Sequence, residues 1–470
     1  MSTYNYNIQL QDIHIQNFRG FEEVDIHFDE KLTVFIGING SGKTSILELL
    51  ADILRQFLKE VHPDMSFKSA LVGTKDVQIG KAESINECSL WLDLWEVNPD
   101  TGMLEPKSDE CICTYRLAPV LTNIFSFKNI EAEEETNEID EDGNKKKIIV
   151  LEPNSFENKA NYSGEIMRIF RDNKDKVHVP IVAYYPCNSL SQNKAVSTND
   201  TLLSNHVLST YQDIMTQENI SFNYIKKWFD WRQKLDFQRR AKNIENKDQA
   251  ITQQIYSNIL SALNDDNNNG YSEIYIDWEN PENSEFVLVK NGAELRENQL
   301  SSGEKMLFTL VADISAKMAV ANPTSTNPSK DGVGVVLIDE IDLHLHPKWQ
   351  RKVIGKLQEI FPKVQFVLTT HSALVLQNIR SEHIRVISNG QIFGVENTYG
   401  QSIEDILENT LETDANLFEK EFSQLFDAIS NNKINEAVDL KNKLSKKIEG
   451  KSAQLIRAEA LINRKRLLAK

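Results

Sequence analysis

The sequence predicts an α/β fold that starts with an antiparallel β lobe, carries an inserted β and helical region, and ends in an all-helical tail. Three observations predict it. Strand-like alternation over residues 10–36 runs into a glycine-rich loop that opens an amphipathic helix. Two short apolar runs, Val333–Ile338 and Val364–Leu368, return late in the 470-residue chain and suit buried strands. Everything after residue 402 carries helical periodicity.

Taken in order, the first strands are Leu10–Gln16, Phe21–Phe28 and Leu32–Ile36, each alternating apolar and polar residues until the last. After Gly42, Ile46, Leu49, Leu50, Ile53, Leu54 and Phe57 recur on one helical face. Residues 60–195 are mostly strand-like, in Ser89–Trp95, Cys111–Tyr115, Lys147–Leu151 and Ile181–Tyr185. The acidic stretch Glu131–Asp142 turns at Asp142-Gly143-Asn144 into Lys145–Lys147, which reads as a solvated hairpin tip. Residues 200–265 read as helix, followed by an Asn-rich loop and the strands Glu273–Trp278 and Glu285–Val289. A further helix opens near Gly303.

Composition excludes several classes. Forty percent of the residues are hydrophobic and 26% are charged, an ordinary globular balance. The formal net charge of −17 argues against a chain that coats nucleic acid or anionic membrane over its whole surface, and leaves a local basic patch open. No run approaches the roughly 18 apolar residues that span a bilayer. The N-terminus lacks a charged segment followed by an apolar one, so a cytoplasmic protein is expected. Four cysteines are too few to staple the chain, and Cys111-x-Cys113 has strand spacing with no second Cys or His pair beside it. His344 and His346 likewise lack a completing set.

Three motifs carry chemistry. Gly37-Ile-Asn-Gly-Ser-Gly-Lys-Thr44 matches the phosphate-binding loop G-x-x-x-x-G-K-[ST], and it lies between a strand and a helix as that loop must. Backbone N–H groups of Gly37, Asn39, Gly40 and Gly42 and the helix N-terminus at Thr44 and Ser45 would cradle phosphate. Lys43 would reach the β- and γ-phosphates of ATP, and Thr44 would hold Mg²⁺. Next, Val335–Ile338 places Asp339 and Glu340 at the C-terminal end of a central strand, where open α/β sheets bind ligands. Asp339 would support Mg²⁺ and Glu340 suits a general base for the attacking water. Last, Leu300-Ser-Ser-Gly-Glu-Lys305 opens an apolar helix, where a hydroxyl and free N–H groups make a further anion site.

The order of these motifs resembles the ABC superfamily of ATPases, in its SMC and RecF-like branch. Leu300–Lys305 is similar to that superfamily's signature, with Ser302 and Glu304 in place of the usual Gly and Gln. Thr369-Thr-His371-Ser resembles its switch histidine, and Asp342–Pro347 its D-loop. Arg19, within Gln16–Phe21, fits the N-terminal strand motif of RecF-like ATPases. The resemblance implies ATP sandwiched between two heads, with Lys43, Asp339, Glu340 and the γ-phosphate sensor His371 of one facing Ser301 and Gly303 of the other. Gln78 is one candidate for the glutamine loop. The expected organisation is an N-terminal head lobe over 1–60, a β-rich continuation and insertion over 61–199, and a helical insertion over 200–270. The head resumes over 271–401, and 402–470 form the helical tail.

Lys43 and Ser301 lie too far apart for a compact transporter domain, and residues 200–265 carry no sustained heptads of an SMC coiled coil. The tail is too short and helical for an appended nuclease domain. The layout, together with Tyr184-Tyr185-Pro186 after a buried strand, is similar to the PtuA family of the Septu anti-phage systems. That resemblance implies self-association, a separate HNH nuclease partner of the PtuB kind, DNA reached through the complex, and no membrane. One departure stands out: Cys187-Asn-Ser-Leu follows Tyr-Tyr-Pro, where an arginine near position 189 is expected. The competing expectation is a RecF- or SMC-like repair clamp, whose basic channel Lys226, Lys227, Arg232, Lys234, Arg239, Arg240 and Lys242 would line.

Overall fold

The computed structural model describes residues 4–62, 71–97, 104–117, 124–129, 133–139, 145–149, 177–187, 207–211, 214, 222–242, 248–264, 270–279, 284–395, 419–430, 433–447, and 455, 457–459, 461–462 and 465. It divides into two units, Met1–Gly400 and Gln401–Lys470. In the first, the strands are β1 (Tyr4–Phe18), β2 (Phe21–His27), β3 (Leu32–Ile36), β4 (Ser84–Val97), β5 (Leu104–Leu117), β6 (Ile124–Asn129), β7 (Glu133–Ile139), β8 (Lys145–Ile149) and β9 (Val177–His178). They continue with β10 (Ile181–Tyr185), β11 (Tyr271–Asp277), β12 (Glu285–Lys290), β13 (Ala293–Arg296), β14 (Gly334–Ile338), β15 (Val364–Thr369), β16 (Ile384–Ser388) and β17 (Gln391–Gly394).

Six of these form the sheet that positions the site, in the order β10-β14-β15-β3-β16-β17. The first five run parallel, and β17 closes the edge antiparallel to β16. Every residue of β3, β14 and β15 is buried, which is why they read as unbroken apolar runs rather than alternating ones. Because the strands are parallel, the segments after Ile36, Tyr185, Ile338 and Thr369 all leave along one edge of the sheet. Parallel α/β sheets bind ligands at that edge.

A second, antiparallel sheet has the order β2-β1-β4-β5-β6, with β9 beside β1. The alternation read in β1 and β2 is the register of this pair, from Asp12 opposite His27 to Phe18 opposite Phe21. β11, β12 and β13 make a small meander, and β7 pairs with β8 across the acidic-to-basic turn, whose tip lies outside the described residues.

Helix α1 (Lys43–Val61) buries Ile46, Leu49, Leu50, Ile53, Leu54 and Phe57. The same helix also buries a charge pair, with Arg55 Nη1 2.8 Å from Asp52 Oδ1. Between residues 200 and 265, the described residues are mainly helical apart from a short 3₁₀ turn. Val207–Tyr211 is a 3₁₀ turn, and the described helices are α2 (Phe222–Ala241) and α3 (Asp248–Leu263). The 3₁₀ turn is fixed by tertiary contacts that local periodicity does not encode: Tyr211 is fully buried and its hydroxyl donates to Pro180 O at 2.8 Å. Helix α4 (Ser302–Ala321) is buried at nearly every position, and α5 (Val353–Ile360) follows later.

Several of the basic residues suggested for a channel are already engaged. Lys226 pairs with Glu297 at 3.2 Å, Lys234 with Asp230 at 2.6 Å and Arg240 with Asp236 at 2.8 Å. Arg232 is buried beside Trp228. These contacts leave a narrower basic surface than the linear sequence suggests.

In the second unit, α6 (Glu419–Ser430), α7 (Ile434–Lys447) and helical residues from 455 onward close a core of their own. Leu425, Ala428, Ile429, Ala437, Leu444, Leu455, Ala458 and Ile462 form it. The earlier apolar stripe at Ile403, Ile406, Leu407 and Leu411 lies outside the described residues.

Candidate nucleotide site

Gly37, directly after β3, adopts φ 150° in a space no side chain could share. A Cβ there would stand 2.4 Å from Ile387 O and 2.7 Å from Ser41 Oγ. Asn39 and Gly40 form the exposed tip of the loop, and Gly42 leads into α1. The Lys43 ammonium bends back and donates to Gly37 O and Ile38 O, each at 2.9 Å. Burial lowers its pKa, against the opposing pull of Asp339, Glu340 and Asp342.

Thr44 Oγ1 donates to Asp339 Oδ2 at 2.9 Å, joining the helix start to the end of β14. Thr369 ties the adjacent strand into the same point. Its hydroxyl donates to Asp339 Oδ1 at 2.6 Å and accepts the Glu340 N–H at 2.7 Å. Glu340 itself sits at φ 52°, a left-handed conformation unusual for a non-glycine residue. Asp342 Oδ1 accepts from Thr370 Oγ1 at 2.5 Å and from the His371 N–H at 3.3 Å. Burial and the nearby Lys43 charge lower the His371 pKa, which favours the neutral imidazole.

Arg19, in the turn between β1 and β2, steadies the same helix start. It donates to Asp76 at 2.9 Å, Ser45 Oγ at 3.1 Å and Glu48 at 2.6 Å. Gln78 follows this cluster, and its backbone N–H donates to Asn17 O at 2.9 Å.

The site fits a magnesium–nucleotide ligand on its own chemistry. Three carboxylates and a threonine hydroxyl supply hard oxygen donors, the kind Mg²⁺ takes. Among the described residues, Ser41 Oγ in the phosphate loop, Gln78 Oε1 and Tyr184 Oη are buried without a hydrogen-bond partner. Burial, followed by the charges of Asp339 and Glu48, raises the Tyr184 pKa, so the phenol stays a donor.

The signature-like segment lies elsewhere in the chain's own fold. Ser301 caps α4 through a capping box: its hydroxyl accepts the Glu304 N–H at 3.2 Å, and Glu304 accepts the Ser301 N–H at 2.7 Å. Gly303 packs on the D-loop-like segment, where a Cβ would be 2.5 Å from His344 O. Glu304 also accepts from Tyr271 and, at 3.0 Å, from Lys290. Burial pushes its pKa up, but these bonds outweigh burial and hold it at about 2. A cleft of about 230 Å³ beside Lys290 and Trp349 is separate from the phosphate loop, and its Lys290 charge is matched by Glu304.

Two groups escaped the sequence reading of the site. Tyr185 donates from its hydroxyl to Asp313 Oδ2 at 2.5 Å, and Lys317 completes that buried cluster. The charged i, i+4 pair inside an apolar helix was its only sequence signal. Cys187 Sγ lies 3.1 Å from Glu340 Oε2, and burial together with that contact pushes its thiol pKa up to about 12. The sequence marked this position only as a missing pattern.

The chain is similar in sequence to known ATPases. The chain is 28% identical to the retron Vc95 probable ATPase of Vibrio cholerae serotype O1 biovar El Tor, over 82% of this chain and 74% of that protein. It is 26% identical to the retron Ec83 probable ATPase of Escherichia coli, over 90% of this chain and 80% of that one. The Septu protein PtuA of Bacillus mycoides is 32% identical over 137 residues, which make up 29% of this chain and 17% of that protein. Among the described residues, no helix is long and apolar enough to cross a membrane. Residues 9–376 match the family model described as AAA ATPase domain, and the chain is therefore an ATPase that belongs to that family, AAA_15.

Proposed function

We propose that this ATPase is a nucleotide-driven switch in anti-phage defence. Two copies close on ATP and so assemble and restrain a separate HNH nuclease. The observation that carries the hydrolytic part is the joining of Thr44, Asp339, Thr369 and Glu340 at one sheet edge, with Lys43 and His371 beside them. The likeness to retron ATPases over most of the chain, and to Septu PtuA over part of it, supports the defence setting.

In this reading Lys43 leaves its loop carbonyls and offsets charge on the γ-phosphate. Thr44 and Asp339 would hold Mg²⁺, which would supply charge neutralisation to the transferring phosphoryl group. Glu340 accepts the proton of the attacking water. His371, anchored through its N–H to Asp342, faces the γ-phosphate and distinguishes ATP from ADP. Ser301 and Gly303 of the second copy complete the site, because in the single chain they belong to the cap of α4 and its packing on His344.

Glu340→Gln tests this directly. An amide cannot take the water's proton, so phosphate release should fall by about 10²- to 10⁴-fold while ATP binding persists. Light scattering should then show ATP converting the monomer to a dimer that retains a co-expressed HNH nuclease of the PtuB kind. A wild-type hydrolysis rate would remove Glu340 as the base. A monomer with ATP, or no nuclease retained, would overturn the switch.

A further inference from the structure

Cys187 follows from strand register. β10 runs parallel to β14 with Tyr185 opposite Ile338, and the Asp339 N–H donates to Tyr185 O at 2.9 Å. The two chains therefore leave the sheet side by side, and two residues further along Cys187 stands against Glu340. Its thiol donates to Glu340 Oε2 at 3.1 Å. The end of β10 is pinned from the other side by the Tyr185 hydroxyl on Asp313 Oδ2 at 2.5 Å. Glu340 is held at the backbone by Thr369, in a left-handed conformation that non-glycine residues seldom adopt. A carboxylate aimed by so constrained a backbone keeps rotational freedom only in its side chain. Among the described residues, the Cys187 thiol meets one of its two oxygens.

We propose that Cys187 is a positioning residue for Glu340: the thiol occupies Oε2 and so presents Oε1 to the water that attacks ATP. The proposal rests on Glu340 acting as the base. A thiol is a weak donor, so it can fix the carboxylate's orientation without removing much of its capacity to accept a proton. Thiol and hydroxyl are close enough in size for serine to take over this role, whereas alanine offers no donor.

The test is steady-state ATP hydrolysis by full-length Cys187→Ala and Cys187→Ser, alongside ATP affinity and a urea midpoint for each. Misaiming a base costs about tenfold or more in turnover. Cys187→Ala should therefore lose about tenfold in kcat with KM for ATP within about twofold of wild type, and Cys187→Ser should recover most of it. In a Glu340→Gln background, adding Cys187→Ala should change the residual rate by less than about twofold, since the group it aims is gone. Wild-type kcat for Cys187→Ala, equal losses in Ala and Ser, or a further tenfold loss in the Glu340→Gln background would each overturn the assignment. The single Glu340→Gln variant reports separately on whether Glu340 is the base at all.

Discussion

Lys43 shows how much a single side chain can be asked to do. Almost wholly buried, it donates to two carbonyls of its own loop and faces three carboxylates across the site. Those carbonyl contacts hold the ammonium in place until phosphate oxygens, which carry full charge, offer stronger hydrogen bonds. Lys43→Ala should weaken ATP binding by at least about tenfold, the loss expected for a hydrogen bond to a charged group. A nucleotide titration checks it, and unchanged affinity would place the γ-phosphate elsewhere. Thr369 plays a quieter part. One hydroxyl serves Asp339 as donor and the Glu340 N–H as acceptor, which ties the Asp339 carboxylate to the Glu340 backbone.

At the scale of elements, helix α4 joins the signature-like cap to the strand beside the catalytic edge. Its N-terminus is set by Ser301 and Glu304, and its middle carries Asp313 and Lys317, both fully buried and paired with each other. Tyr185 at the end of β10 shares Asp313. That bond ties α4 to the strand whose exit leads to Cys187. Breaking one partner of a buried ion pair leaves an uncompensated charge, so Lys317→Met should destabilise the protein by about 3–5 kcal/mol. Urea unfolding measures this. A loss below about 1 kcal/mol would mean that the buried pair contributes little to stability. The double change Asp313→Leu with Lys317→Met should restore much of the loss, because no charge is then left without its partner.

At the scale of the whole molecule, the chain separates into an ATPase unit and a tail with its own core. Apolar positions such as Leu425, Ile429 and Leu455, which as bare helical stripes demand a covering surface, are partly spent on each other. The tail is thus a candidate for a separately folded docking element. Truncation after residue 400 should leave ATP affinity within about twofold and remove the bound nuclease or higher-order assembly, read by size-exclusion chromatography with light scattering. A complex of unchanged subunit composition would move the partner surface into the first unit.

Much of the phosphate loop could be read from the sequence because its physical requirements are local. A buried strand, a turn that only glycine can make at Gly37, and an amphipathic helix follow one another between Leu32 and Val61. The same holds for Asp339 and Glu340 at the end of an apolar run and for the buried stripe of α1. The ATPase class was legible for that reason, from motifs whose order along the chain carries the information. Strand order was not. Nothing near Tyr185 in the sequence says that β10 lies beside β14, yet that neighbourhood puts Cys187 on Glu340 and Tyr185 on Asp313. Hydrophobic periodicity specifies which face of an element is buried but not what buries it. These two contacts join residues more than a hundred positions apart, and they exist only once the sheet has chosen its order.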